Sequence, residues 1–270
     1  VLWEECVLRW QDHTERFRVE NGHIDDPYAF GGGDAIEPDR LYLPPASGRP
    51  NLAPLFGLLR GMHFYNLDVS ALRQPGPEAT GAALGRRGEH LPDVLGELTA
   101  DHPDIKQRFD DYLAAVVPGV EGLDRQYAGS YVAVAMRQQT GRDSGGFTFG
   151  PDAMSDGTIR AAGILAALFQ PWVLTGQMSL VGIEEPELAL HPSAAGVLFD
   201  ALTEASERVQ VLASSQSADL LDRDDIDPAI VRAVTTEGGL TTIGELDDAS
   251  RTIVQEKRFT LGELMRGNPA

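Results

Sequence analysis

LVGIEEPELALHP, Leu180 to Pro192, is the stretch on which the reading of this 270-residue chain turns. It runs apolar from Leu180 to Ile183 and then meets two adjacent acids, Glu184 and Glu185. Pro186 turns the chain, and Glu187 adds a third acid before the His191-Pro192 stop. A short apolar run bounded by turn signals reads as a buried strand. Two carboxylates at the end of such a strand repel each other, and at least one resists ionising if kept dry. A nearby cation, or a water held for reaction, is the usual reason to tolerate the pair.

Working outward, PSAAGVLFDALTEASE places Pro192 in the first turn of a helix. Its buried face is Val197, Leu198, Ala201, Leu202 and Ala205. VQVLASS, Val209 to Ser215, then reads as a second buried strand, with a short helix over SADLLD. Strand, helix and strand at this spacing make a parallel βαβ unit with a right-handed crossover, and the fold class is α/β. In such sheets ligands gather beyond the carboxyl ends of the strands, where Glu184 and Glu185 stand. One carboxylate holding Mg²⁺ and a second polarising a water is the division of labour that phosphate hydrolysis needs. Taken alone, IEEPE is equally a surface turn rich in acids.

Upstream, MSDGTIR (Met154 to Arg160) leads into an apolar helix, SDGTIRAAGILAALF. Free backbone N–H groups and the positive dipole end at Ser155, Asp156 and Gly157 suit an anion. An ordinary N-cap, which Ser or Asp satisfies unaided, explains the same residues.

Elsewhere, residues 1–20 alternate like two strands around a turn at QDHTE, and 21–50 read as a long Gly/Pro/Asp-rich loop. NLAPLFGLLRGMHFY reads as helical. Two helices are expected between Leu91 and Val117, the second with a stripe of Ile105, Phe109, Tyr112, Leu113 and Val116. Short antiparallel strands follow over 119–150, and AIVRAVTT and GLTTIGEL form a hairpin around Glu237–Gly239. The implied divisions are 1–50 (antiparallel strands and loop), 51–150 (an inserted helical lobe with short strands), 151–225 (the core) and 226–270 (a hairpin and helix).

The formal charge is −19, and only Lys106 and Lys257 among the 22 basic residues are lysines. So acidic a surface repels nucleic acid and anionic lipid on average, which disfavours direct DNA or membrane binding as this segment's main task. A single cysteine, Cys6, excludes an internal disulfide and a cysteine-built metal site and suits a reducing cytoplasm.

The order and spacing of these motifs are more specific than any one of them. MSDGTIR resembles the signature motif of ABC-type ATPases in the form found outside transporters. LVGIEEPELALHP resembles their Walker B motif and D-loop, and VLASSQSADLLD their switch strand and loop. The closest resemblance is to AAA-family ATPases of the SMC-, RecF- and OLD-like branch. It is strong over 150–222; MHFYNLDVSALRQPG and GEHLPDVLGEL fit the inserted lobe of that group, and LGELMRG its tail.

The resemblance implies a P-loop NTPase-like parallel sheet lobe, with an inserted helical lobe and flanking antiparallel strands. It also implies ATP and Mg²⁺ as cofactors and dimerisation around ATP. Glu184 matches the acid that supports the metal, although the family more often has Asp. Glu185 matches the general base, and Leu188 to His191 the D-loop, with His191 structural. Ser155, Asp156 and Gly157 stand in the signature, where Ser155 and Gly157 match residues that meet the γ-phosphate held by the opposite subunit. Gln216 occupies the switch position, usually His; it can donate to a phosphate but cannot become cationic.

The phosphate cradle GxxxxGK[ST] is absent, since no Gly-Lys pair occurs in the sequence. FGGGDAI has no lysine or hydroxyl in register and is no substitute. In the family the P-loop strand precedes the region where this sequence starts, so the chain is expected to be the C-terminal part of an ATPase and inactive alone. Without that strand, Val209–Ala213 would be an exposed edge. The expectation is that the N-terminal segment, a neighbouring chain or a rearranged local strand pairs with it. Implied partners are that segment or a second subunit, and a nuclease or DNA. A non-catalytic, ATPase-like interaction module is the alternative. A transporter motor fits less well, because its signature and switch residues differ.

Overall fold

A computed structural model describes residues 3–10, 13–25, 40–138 and 147–267. FGGGDAI and the turn at Gln11–Asp12 lie outside them. The chain forms two compact units, Val1–Met62 and His63–Ala270.

In the first unit, β1 (Trp3–Trp10), β2 (His13–Glu20) and β3 (His23–Asp25) form an antiparallel sheet in that order. Phe17 and Val19 on β2 are buried with Ala46 and Leu52. Two helices follow, α1 (Leu43–Ala46) and α2 (Ala53–Arg60). Glu4 on β1 accepts the Tyr42 and Leu43 amides at 2.5 and 3.1 Å, satisfying the free N–H groups where α1 begins. Thus β3 and α1 interrupt the stretch read as loop.

β4 (Met62–Tyr65), a strand where the sequence reads as helix, carries the chain from Met62 into the second unit. The helical pattern of α2 stops at Gly61. Then come α3 (Val69–Arg73), β5 (Gly76–Pro77), and the expected helix pair α4 (Leu91–Asp101) and α5 (Pro103–Val116). Phe109, Tyr112, Leu113 and Val116 are buried as their spacing predicts. Next, β6 (Val120–Ala128), β7 (Tyr131–Gln138) and β8 (Phe147–Phe149) join β5 in an antiparallel sheet, with β7 between β5 and β6 and also paired to β8.

The core helix is α6 (Asp156–Phe169), whose side chains from Ile159 to Phe169 are almost all buried. It packs against α3, α4, α5 and α7 (Pro171–Leu174). Asp156–Leu174 is long and apolar enough to cross a membrane, but 78% of its apolar window is buried in protein, as in a core helix.

After α7 come β9 (Leu180–Glu184), α8 (Ala195–Ser206) and β10 (Gln210–Ser214). β10 lies parallel to β9, with Gln210 opposite Leu180 and Ser214 opposite Glu184, as the βαβ reading requires. The sheet order is β10-β9-β4. SADLLD forms turns, not a helix. A hairpin of β11 (Ala233–Glu237) and β12 (Leu240–Gly244) turns through Gly238 and Gly239, both at positive φ. The chain continues into α9 (Asp248–Gln255) and α10 (Leu261–Gly267).

Two expectations about β10 fail. It is not buried, since Leu212 is 55% exposed and Ala213 and Ser214 are exposed with it. Nor does a rearranged local strand cover its outer edge: among the described residues it bonds to β9 alone. One face of the three-strand sheet packs on α6 and α8 through residues such as Val181 and Ile183, while the opposite face, with Phe64 and Leu212, is bare. An apolar run marks a strand, but it does not say whether both faces are covered.

Candidate functional site

The site forms where β9 and β10 end side by side. The ladder continues one residue past the strands, because the Glu185 amide donates to the Ser214 carbonyl at 2.8 Å. Glu185 takes a left-handed backbone (φ 43°), which starts the turn at once. Its carbonyl accepts the Leu188 amide at 3.0 Å, and the Glu187 carbonyl accepts the Leu190 amide at 3.0 Å. Ala189 is also left-handed (φ 67°).

The three acids consequently face different ways. Glu184 is exposed and lines an open cavity of about 860 Å³, with Phe64, Arg86, Arg87, Leu212 and Ser214. Glu185 accepts the Gln216 side-chain amide at 3.2 Å. Glu187 accepts the Ser215 hydroxyl at 2.6 Å. The structure thus brings Glu185 and Gln216 together, with Glu184 directly before Glu185 in the chain. Beside the cavity, burial pushes the Tyr65 phenol up to about 12, so it stays a neutral hydroxyl, accepting from Gln170 at 2.9 Å.

The signature residues sit on a neighbouring surface. Ser155 caps α6, its hydroxyl accepting the Thr158 amide at 3.0 Å and lying 2.7 Å from the Thr158 hydroxyl. Asp156 pairs with Arg73 at 2.8 Å. The same guanidinium donates to the Met154 carbonyl at 2.6 Å, so α3 clamps the entry to α6. Gly157 has no room for a side chain, as a Cβ there would lie 2.6 Å from the Ala189 carbonyl. This close approach joins the start of α6 to the turn after β9. Among the described residues no hydrogen bond or ion pair links Ser155 or Asp156 to Glu184, Glu185 or Gln216. His191 is exposed, and its ring contacts Ser193, capping the turn that opens α8.

Arg73 and Ser215 are contributors that sequence reasoning missed. Ser215 had a signal, its place beside Gln216; Arg73, distant in the chain, had none.

Among the described residues no cluster of three His, Cys, Asp or Glu could hold a metal alone. That suits Mg²⁺, which takes one or two carboxylates and completes its shell with phosphate and water. Glu184 is exposed and lines the cavity, where it could serve as such a carboxylate. The donors that would cradle a triphosphate are not among these residues.

The parallel β9–β10 pair with its packed helices places the fold in the P-loop NTPase-like α/β class. Residues 61–222, more than half of the chain, match the family described as "AAA domain, putative AbiEii toxin, Type IV TA system", and the chain belongs to that family. No curated protein matches it. Among solved structures, the SMC head bound to the C-winged helix domain of ScpA aligns over 93% of this chain and 76% of its own, at 12% identity with a TM-score of 0.54. The SMC head domain from Thermotoga maritima aligns over 91% and 74%, at 9% identity with a TM-score of 0.43. The fold is that of an SMC-like ATPase head.

Proposed function

We propose that this chain is the carboxylate-bearing part of an ATP hydrolase that dimerises around ATP and serves DNA maintenance or phage defence. The observation that carries the reading is the Gln216 amide on the Glu185 carboxylate at 3.2 Å, at the carboxyl ends of two parallel strands. Bound Mg–ATP would supply the phosphoanhydride to be cleaved, with Glu184 as the protein's ligand to the metal. Glu185 accepts a proton from the attacking water and orients it. Gln216 holds that carboxylate and offers an N–H to phosphate.

The remaining donors come from elsewhere. A strand followed by a P-loop, from a segment outside this sequence or a second subunit, would pair with β10 and cover Phe64 and Leu212. Dimerisation is supported by the surface around Gly157. Ser155, Asp156, Leu188 and Ala189 are exposed there, Leu188 by 52%, and the Gly157–Ala189 contact makes them one continuous face. A nuclease or DNA partner fits the branch, and the single cysteine fits a reducing cytoplasm. An SMC head relative is described as bound to a domain of ScpA, and a protein partner is equally compatible here.

The test is Mg²⁺-dependent ATP turnover by this chain and by the same chain with a P-loop-bearing upstream segment restored. Turnover is expected in the longer form alone, and Glu185→Gln should lower kcat by about 10²–10⁴-fold. No turnover in either form would favour the second reading, a non-catalytic module that keeps the ATPase shape. Gln at the switch position and Glu at the metal-supporting position are the observations on its side.

A further inference from the structure

Glu187 has no part in the chemistry above, yet it is the most constrained of the three acids. One of its oxygens, Oε1, accepts the Ser215 hydroxyl at 2.6 Å. The other, Oε2, is buried without a hydrogen-bond partner. A buried carboxylate oxygen with no donor is costly and uncommon. Its neighbour's geometry shows what the arrangement does. The Ser215 hydroxyl has one proton, which goes to Glu187, and a lone pair that receives the Ser217 amide at 2.9 Å. Ser215 is therefore fixed in direction at both ends. Gln216, whose amide reaches Glu185, lies between Ser215 and Ser217 in the chain.

The Glu187 backbone is committed as well. Its carbonyl closes the turn to Leu190, which sets the Ala189 carbonyl against Gly157. One residue thus touches the segment after β10 with its side chain and the start of α6 through its turn.

We propose that Glu187 is a positioning residue, holding Ser215–Ser217 against the turn after β9 so that Gln216 stays within reach of Glu185. Its consequence for turnover rests on the ATPase reading given above; its consequence for structure does not. The geometry requires an acceptor for the Ser215 proton, not a negative charge, so Glu187→Gln should retain the function and Glu187→Ala should lose it.

Two measurements separate these layers. The first is amide hydrogen exchange at Ser217, read by NMR on this chain without nucleotide. Glu187→Ala should speed it about tenfold, the loss of one hydrogen bond of ordinary strength. Glu187→Gln should restore it, and Ser215→Ala should match the alanine variant from the other side. Unchanged exchange in Glu187→Ala would overturn the proposal, whatever Ser215→Ala does, because that second variant removes the Ser217 amide's acceptor directly. The second is steady-state turnover of the full-length ATPase. Glu187→Ala should lower kcat at least tenfold with KM for ATP unchanged, and the Glu187→Ala/Ser215→Ala double variant should be no worse than either single one. Multiplying losses would show that the two residues act separately and would overturn it. If the wild-type protein turns over no ATP, the functional reading fails, while the exchange result still decides the role of Glu187.

Discussion

Glu185 combines the role proposed for it with a backbone that its residue type resists. A left-handed conformation at a non-glycine residue costs on the order of 1 kcal/mol, and such outliers gather at functional sites. Glu185→Gly should therefore raise the thermal midpoint of this chain by about 2–4 °C, the shift about 1 kcal/mol produces at this size. Turnover of the complete ATPase should fall in the same variant. A lowered midpoint in a melting experiment would show that the Gln216 contact outweighs the strain. Gly157 is the opposite case. Alanine at the start of a helix is ordinarily favourable, but here its Cβ would meet a backbone carbonyl at 2.6 Å, and the turn around Ala189 would have to move. Gly157→Ala should lower kcat while far-UV circular dichroism stays unchanged.

Beside the apolar core, charged pairs join several elements. Lys106 and Asp110 on α5 are buried and paired at 2.6 Å. Asp110 also meets Arg137 of β7 at 2.6 Å and accepts the Leu123 amide of β6 at 3.2 Å, while Asp124 meets Lys106 at 3.2 Å and Arg137 at 2.6 Å. The network sets the register between the helix and the sheet. Asp110→Ala leaves Lys106 buried with one weaker partner and should cost about 3 kcal/mol, read from chemical denaturation. At the C-terminal end, α10 docks on the segment that follows Gln216. The Gly262 amide donates to the Leu221 carbonyl at 3.0 Å, and Arg266 pairs with Asp219 and Asp222, each at 2.6 Å. The Thr260 hydroxyl, followed by Arg266, holds the Asp222 carboxyl below the usual range. A depressed folded pKa adds stability above the ordinary aspartate pKa of about 3.9 and loses it as pH falls through the folded value. α10 should therefore loosen below about pH 4, seen as faster amide exchange over Leu261–Gly267, and Asp222→Asn should remove that pH step.

The whole molecule is marked by what it leaves uncovered. Among the described residues the outer edge of β10 is unpaired, and Phe64 (47% exposed) and Leu212 (55%) stand on a bare sheet face. Unpaired edges with exposed apolar residues template association between chains. This chain alone should self-associate at micromolar concentration, and Leu212→Glu should shift it toward monomer in light scattering without lowering its melting midpoint. Supplying the P-loop strand proposed above should do the same, because it would occupy the edge. If the isolated chain is monomeric throughout, the edge is tolerated by solvation and the argument for a covering strand weakens.

Local chemistry made the elements and the motif order legible. Apolar periodicity placed α5 and α8, since a helix face must repeat every three to four residues wherever it packs. Turn residues placed the β11–β12 hairpin, since paired glycines reach positive φ without steric cost. The juxtaposition of Glu185 and Gln216 was implied only by the family resemblance, and the parallel pairing of β9 with β10 brings the two together. Tertiary structure alone decided that α2 gives way to β4, where strand pairing beside β9 outweighs an apolar run that suits a helix equally. It decided that β10 is bare, because coverage belongs to neighbours and not to a strand's own residues. It also decided that Arg73 clamps the start of α6 and that Ser215 answers Glu187: contacts between residues far apart in the chain arise from packing, and no local pattern encodes them.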